Sequence, residues 1–101
     1  MSKSVRLKNN IYLDYQSIYK TFDYVQNNSD LDTYTTTGYY LGNQTTGVSN
    51  SPVGSTLDGL LVVESVICPF VFSIQTYYGS NGTKYSRIYW FGVYWTGWVQ
   101  N

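Results

Sequence analysis

Leu57-Asp58-Gly59-Leu60-Leu61-Val62-Val63-Glu64-Ser65-Val66-Ile67 is the stretch on which the fold turns. Its centre, Leu60–Val63, is continuously apolar, which suits a strand covered on both faces. Glu64 is expected to point outward from it. Downstream, Phe70–Tyr78 alternates, with Phe70, Phe72, Ile74, Thr76 and Tyr78 on one face and Val71, Ser73, Gln75 and Tyr77 on the other. Gly79-Ser80-Asn81-Gly82 makes a short hairpin loop. Thr83–Phe91 follows as the next strand, with Tyr85, Arg87, Tyr89 and Phe91 on one side and Ser86, Ile88 and Trp90 on the other. Gly92 marks a turn, and Tyr94–Val99 is the last strand. Upstream, Tyr39–Leu41 is a strand after a bend at Gly38. The Gly-, Ser- and Thr-rich run Gly42–Ser55 is a long surface loop and a candidate contact region. The sum is all-β, a small antiparallel meander of four or five strands.

Composition points the same way. A chain of 101 residues is one small domain with a modest core. It contains no alanine and a single glutamate, against 12 Tyr, 11 Thr, 11 Ser and 10 Val. The best helix formers are missing and the strand formers abound, so bundles and coiled coils are excluded. Charged residues make up 12% and cancel to a net charge of zero, which does not fit electrostatic binding of nucleic acid or of an anionic membrane. No apolar run is long enough to span a bilayer, and no signal-peptide pattern follows the Met1–Asn10 start.

Chemistry is sparse. The absence of histidine and the single cysteine remove triads and most metal sites. P-loop, dinucleotide-binding and nucleophile-elbow patterns are missing as well. No cofactor, metal or catalytic residue is therefore expected, and the chain is read as a non-enzyme. Asp30 and Asp32 have the spacing of paired carboxylates, but their simpler role is to start a turn and accept backbone N–H bonds. Cys68 is expected to be a small buried core residue. The sequons at Asn27, Asn43 and Asn81 are expected to be turn positions.

The first 28 residues form an N-terminal segment set apart from the β domain of residues 29–101. Val5–Leu7 and Ile11–Leu13, joined by Lys8-Asn9-Asn10, are expected to form a small β-hairpin. Asp14–Val25 is the one plausible helix, short or irregular, with Ile18, Phe22 and Val25 at i, i+4 and i+7. Leu7, Ile11, Leu13, Ile18, Phe22 and Val25 are the candidate attachment and oligomerisation residues. Gln26–Asp30 is the polar boundary.

Aromatic residues crowd residues 77–98, including Tyr85, Tyr89, Tyr94, Trp95 and Trp98. Trp95 and Trp98, three apart on one strand, are expected on opposite faces. Amphipathic rings with few charges suit a core with a subunit interface, and they equally suit a platform for sugars. A chain this small does not hide them all, and self-association is one way to cover them.

Three stretches together resemble the pyocin-knob family. Asp30-Leu31-Asp32-Thr33-Tyr34-Thr35-Thr36-Thr37-Gly38-Tyr39-Tyr40 is similar to its opening strand, and Asn50-Ser51-Pro52 to its N-x-P loop. Tyr85-Ser86-Arg87 with Trp95-Thr96-Gly97-Trp98 is similar to its closing Y-x-R and W-x-x-W. The likeness spans about residues 30–99. It departs at Phe91-Gly92, where the family has an Asn-Gly type of turn. Val5–Asp14 also resembles the start of short virion proteins of phages of Gram-positive hosts. The resemblance implies a virion structural or adhesion role: a homotrimeric head-fibre, tail-fibre or decoration subunit, made in the bacterial host cytoplasm. Its implied partners are a capsid, collar or baseplate protein and host cell-wall carbohydrate. Arg87, which matches the family's arginine, joins Tyr85, Tyr89, Tyr94, Trp95 and Trp98 as a candidate glycan or partner contact. It is expected to stack on an aromatic such as Trp95.

Overall fold

The computed structural model describes residues 21–67 and 69–101. The expected hairpin at residues 5–13, Leu7, Ile11, Leu13, Ile18 and Cys68 lie outside them. The described residues form a single mixed sheet of seven strands. These are β1 (Asp23–Tyr24), β2 (Gly38–Thr45), β3 (Leu57–Ile67), β4 (Val71–Gly79), β5 (Lys84–Trp90), β6 (Tyr94–Trp95) and β7 (Val99–Gln100). The all-β meander holds from β2 to β6, every neighbouring pair being antiparallel.

Two features differ from the expectation. Phe22 and Val25 do not sit on a helix: Asp23–Tyr24 is a strand that pairs parallel with β2, and Val25 N donates to Leu41 O. The edge of β2 offers this segment backbone partners, an isolated helical turn is marginal in water, and Val25 is buried in the same core as β3. The expected boundary at residue 28 thus falls inside this folded unit. Second, the last strand is not continuous. Tyr89 faces Trp95 and Ser86 faces Val99, so three steps along β5 are matched by four along the C-terminal segment. The extra residue is a β-bulge at Gly97-Trp98, opposite Arg87.

One face of the sheet carries the core. Leu57, Leu61, Val63 and Tyr77 are buried against Val25, Leu31 and Val48, which come from two loops laid across that face. The loops are tied to one another by Leu31 N to Ser49 O and Ser49 N to Ser29 O. The long loop is therefore partly a lid on the core, and it is shorter than expected because β2 runs on to Thr45. The opposite face is open among the described residues. Leu60 and Val62 are only half-buried there, so β3 is sealed on one side rather than two.

Turn chemistry explains the connections. Gly82 at φ 89° closes the β4–β5 hairpin, where Asn81 Oδ1 accepts from the Thr83 backbone and hydroxyl. Between β5 and β6, Phe91 at φ 46° and Gly92 at φ 73° fill the positive-φ pair that hairpin turns require, with Val93 N bonding Trp90 O. The Phe-for-Asn departure thus keeps the turn. Gln44 at φ 52° sits in the bulge where the β2–β3 register slips between Gly42 and Thr45. Left-handed backbone disfavours glutamine and suits asparagine. Gln44→Asn should raise stability by roughly 1 kcal/mol, read as a higher urea midpoint; a lower midpoint would contradict the assignment of strain.

The core phenols add an alkaline limit. Burial raises the Tyr77 phenol above its ordinary 10.0; the Asp58 N–H it accepts works against this and the Asp58 charge adds to it. Tyr40 is raised by burial, then by the charge of Asp23. The fold favours the protonated phenols, so their contribution is intact below pH 10 and lost as pH rises through the folded-state values. Thermal midpoints should be insensitive to these groups at neutral pH and fall above pH 10. Tyrosinate absorbance should show a late step that coincides with unfolding.

Candidate functional site

The site grows from β4 and β5. Gln75 and Arg87 are cross-strand partners on the core-side face. Gln75 is fully buried, and its amide is saturated: Nε2 donates to Leu31 O at 2.7 Å and to Tyr34 O at 2.9 Å, while Oε1 accepts from Arg87 Nε at 2.8 Å. It ties off the carbonyl of Leu31, in the 3-10 turn Leu31–Thr33, and that of Tyr34, which caps the turn. That turn is started by Asp30, whose Oδ1 accepts the Asp32 N–H at 2.8 Å, as expected of a turn-starting Asp.

Arg87 extends from the same point. Its side chain is 4% exposed, and Nη1 lies 2.8 Å from Asp32 Oδ1 as an ion pair. Nη2 has no acceptor among the described residues. Burial lowers the guanidinium pKa from its ordinary 12.5, and the hydrogen bond and charge of Asp32 work against that shift. The flat faces are also occupied: the guanidinium carbon is 4.0 Å from the Trp95 ring centroid and 4.6 Å from that of Trp98. The expected stacking on Trp95 is present, and Trp98 shares it. Trp98 reaches this face because the bulge adds one residue and resets the alternation, so the two indoles are not on opposite faces as a regular strand would place them.

Asn50 closes the ring. Its Nδ2 donates to Asp30 Oδ1 at 2.8 Å and to Asp32 Oδ2 at 3.1 Å, and its carbonyl accepts the Trp98 Nε1–H at 2.9 Å. Its φ of 58° is one that asparagine tolerates. The four sequence pieces that carry the family resemblance, residues 30–40, 50–52, 85–87 and 95–98, therefore meet at one charged and aromatic cluster. Asn50, Asp30, Asp32 and Gln75 were not among the expected site residues. The first three stood in the quoted motifs. Gln75 left no signal beyond its place on a strand face with Ser73 and Tyr77.

Above this cluster lies a cleft of about 710 Å³, bordered by Asp32, Asn50, Ser51, Tyr89, Trp95 and Trp98. Tyr89 stacks on Trp95 with centroids 4.9 Å apart. Of the expected contacts, Arg87, Tyr89, Trp95 and Trp98 are gathered here. Tyr85 is not: it packs, half-buried, against the core. Tyr94 borders the cleft but pairs with Trp90, whose side chain lies on the other face. Phe22 is exposed and stacks edge-on against Tyr24, and Val25 is a core residue rather than a surface contact.

The opposite face carries a second, apolar groove lined by Phe72, Ile74, Ile88 and Val99. It leads to an apolar patch where Phe72 contacts Trp90 and Phe91, and where Ile67 is 78% and Phe70 is 63% exposed. Among the described residues, no group of three metal-ligating side chains comes together and no helix is long and apolar enough to cross a membrane. Comparison with protein-family models, with curated proteins and with solved structures finds no match to this chain.

Proposed function

We propose that this chain is a non-enzymatic virion appendage subunit of a bacteriophage, a short fibre or decoration protein. It associates with itself through its apolar surface and turns its knob outward. The observation that supports this reading best is the convergence of the motif pieces: residues separated by more than half of the chain close around Arg87, which is what a shared structural signature of the family would do. The exposed apolar side chains of Ile67, Phe70, Ile74 and Trp90 among the described residues support association. Light scattering of the full-length chain behind a sizing column tests it. Three times 11.6 kDa is the expected mass; a clean monomer at micromolar concentration would count against the self-assembling fibre.

The cleft favours a second reading, which is compatible with the first. Aromatic rings beside polar groups suit recognition of host-surface carbohydrate, and Asp30 and Asp32 are tied into the structural cluster by Asn50, the Asp32 backbone and Arg87. In this reading the appendage is an adhesin, and it carries the virion to the cell wall.

A further inference from the structure

We propose that the cleft between the Asn50 loop and β6 binds an uncharged saccharide, and that it discriminates against anionic wall polymers. The inference rests on the adhesin reading and gives it a place and a ligand class.

The argument begins with charge. Among the described residues the cations are Lys84 and Arg87. Arg87 is spent inside the cluster, held by Asp32, Gln75 and two indoles. Lys84 lies over Tyr78 at the far end of β5. An anionic polymer entering the cleft would meet the Asp32 carboxylate, while the one cation among the described lining residues, Arg87, already faces Asp32 and keeps its unpartnered Nη2 buried. A phosphate or carboxylate ligand is thus opposed by the site, whereas a neutral polyol is not.

The remaining lining suits such a polyol. The volume, about 710 Å³, lies in the range of small-ligand sites. Tyr89, which gives one ring face to Trp95, and the indole edges of Trp95 and Trp98, whose faces are engaged by Tyr89 and Arg87, supply apolar, polarisable surface for the C–H groups of a pyranose. The Tyr89 hydroxyl, Trp95 Nε1 and Asn50 Oδ1 make no hydrogen bond to the described residues, so the lining offers both donors and acceptors. Sugar hydroxyls, which donate and accept, complement that mixture. The lining is also held in place before any ligand arrives. Asn50 makes three bonds, and Trp95 and Trp98 are fixed by the guanidinium, so little ordering is lost on binding.

The three tryptophans make the test. Trp95 and Trp98 report on the cleft, and Trp90, on the opposite face, is the internal control. The full-length chain, labelled with nitrogen-15, is titrated with neutral oligosaccharides (glucose, galactose and N-acetylglucosamine tetramers) and separately with a poly(glycerol phosphate). A saturable shift of the Trp95 indole signal with at least one neutral tetramer, Trp90 staying still, is the expected result. Tyr89→Ala, which leaves the Arg87 bonds in place, should weaken that binding about threefold to tenfold. If the poly(glycerol phosphate) shifts Trp95 and the neutral sugars do not, the inference is overturned while the adhesin reading stands. If a sugar binds but shifts Trp90 alone, the cleft assignment fails. Silence from every probe overturns both.

Discussion

Arg87→Ala should cost about 3 kcal/mol of folding stability, seen as a drop of roughly 15 °C in the thermal midpoint. Three losses combine. The Gln75 Oε1 acceptor, fully buried, is left without its donor. The Asp32 carboxylate loses its counter-ion, although its own partial exposure softens that term. Trp95 and Trp98 lose the planar cation between them, and a cavity replaces it. Arg87→Lys keeps the charge but not the fork or the flat face, so it should recover less than half of the loss. Urea unfolding followed by tryptophan fluorescence measures both variants. A change below about 0.5 kcal/mol for the alanine variant would mean that the cluster does not hold the loops to the sheet.

Gly59→Ala should be nearly as damaging, for a different reason. Gly59 faces Gly79 across β3 and β4, and the Tyr77 ring lies over the gap. A methyl group added there would run into the Tyr78 carbonyl oxygen and sit 2.8 Å from the Tyr77 hydroxyl. The obstacle is strand backbone, which cannot step aside without breaking the ladder. Overpacking of this kind costs about 3 kcal/mol, and a valine would cost more. Gly97→Ala is the matched control, since nothing lies within 4 Å of an added Cβ there. It should stay within about 0.5 kcal/mol of the parent chain. Equal midpoints for the two alanine variants would show that β3 and β4 are less closely apposed than described.

The strands were legible because their signals were local. The apolar centre of Leu57–Ile67 gave β3 its full extent, and alternation with glycine punctuation placed β4 and β5 within a residue or so. What alternation did not say is which face is inside. The core side of β4 carries Ser73 and Gln75, and the open side carries Phe72 and Ile74, the reverse of a hydrophobic count. Gln75 can be inside here because Leu31 O and Tyr34 O, more than 40 positions away, and Arg87 on the neighbouring strand satisfy it. Val25 was misplaced on a helix because its spacing from Ile18 and Phe22 carries no information about the edge of β2. Trp95 and Trp98 share a face, against the expectation of opposite ones, because a bulge of one residue is invisible to a period of two. The cluster was foreshadowed by the motif resemblance, which named its pieces, while their meeting around one guanidinium depends on three-dimensional closure.

The bulge also sets how the end of the chain responds to insertions and deletions. Trp98 lies on the inner face and Val99 borders the apolar groove on the outer one only because the count of residues between Trp95 and Val99 is one greater than the opposing count on β5. Loss of any single residue from Thr96 to Trp98 would restore a regular ladder and leave the Arg87 cation with one indole instead of two. Gain of a residue there could be absorbed by a wider loop that leaves both indoles where they are. Length variation in this short stretch is therefore asymmetric: the C-terminal end of the domain is open to lengthening and closed to shortening.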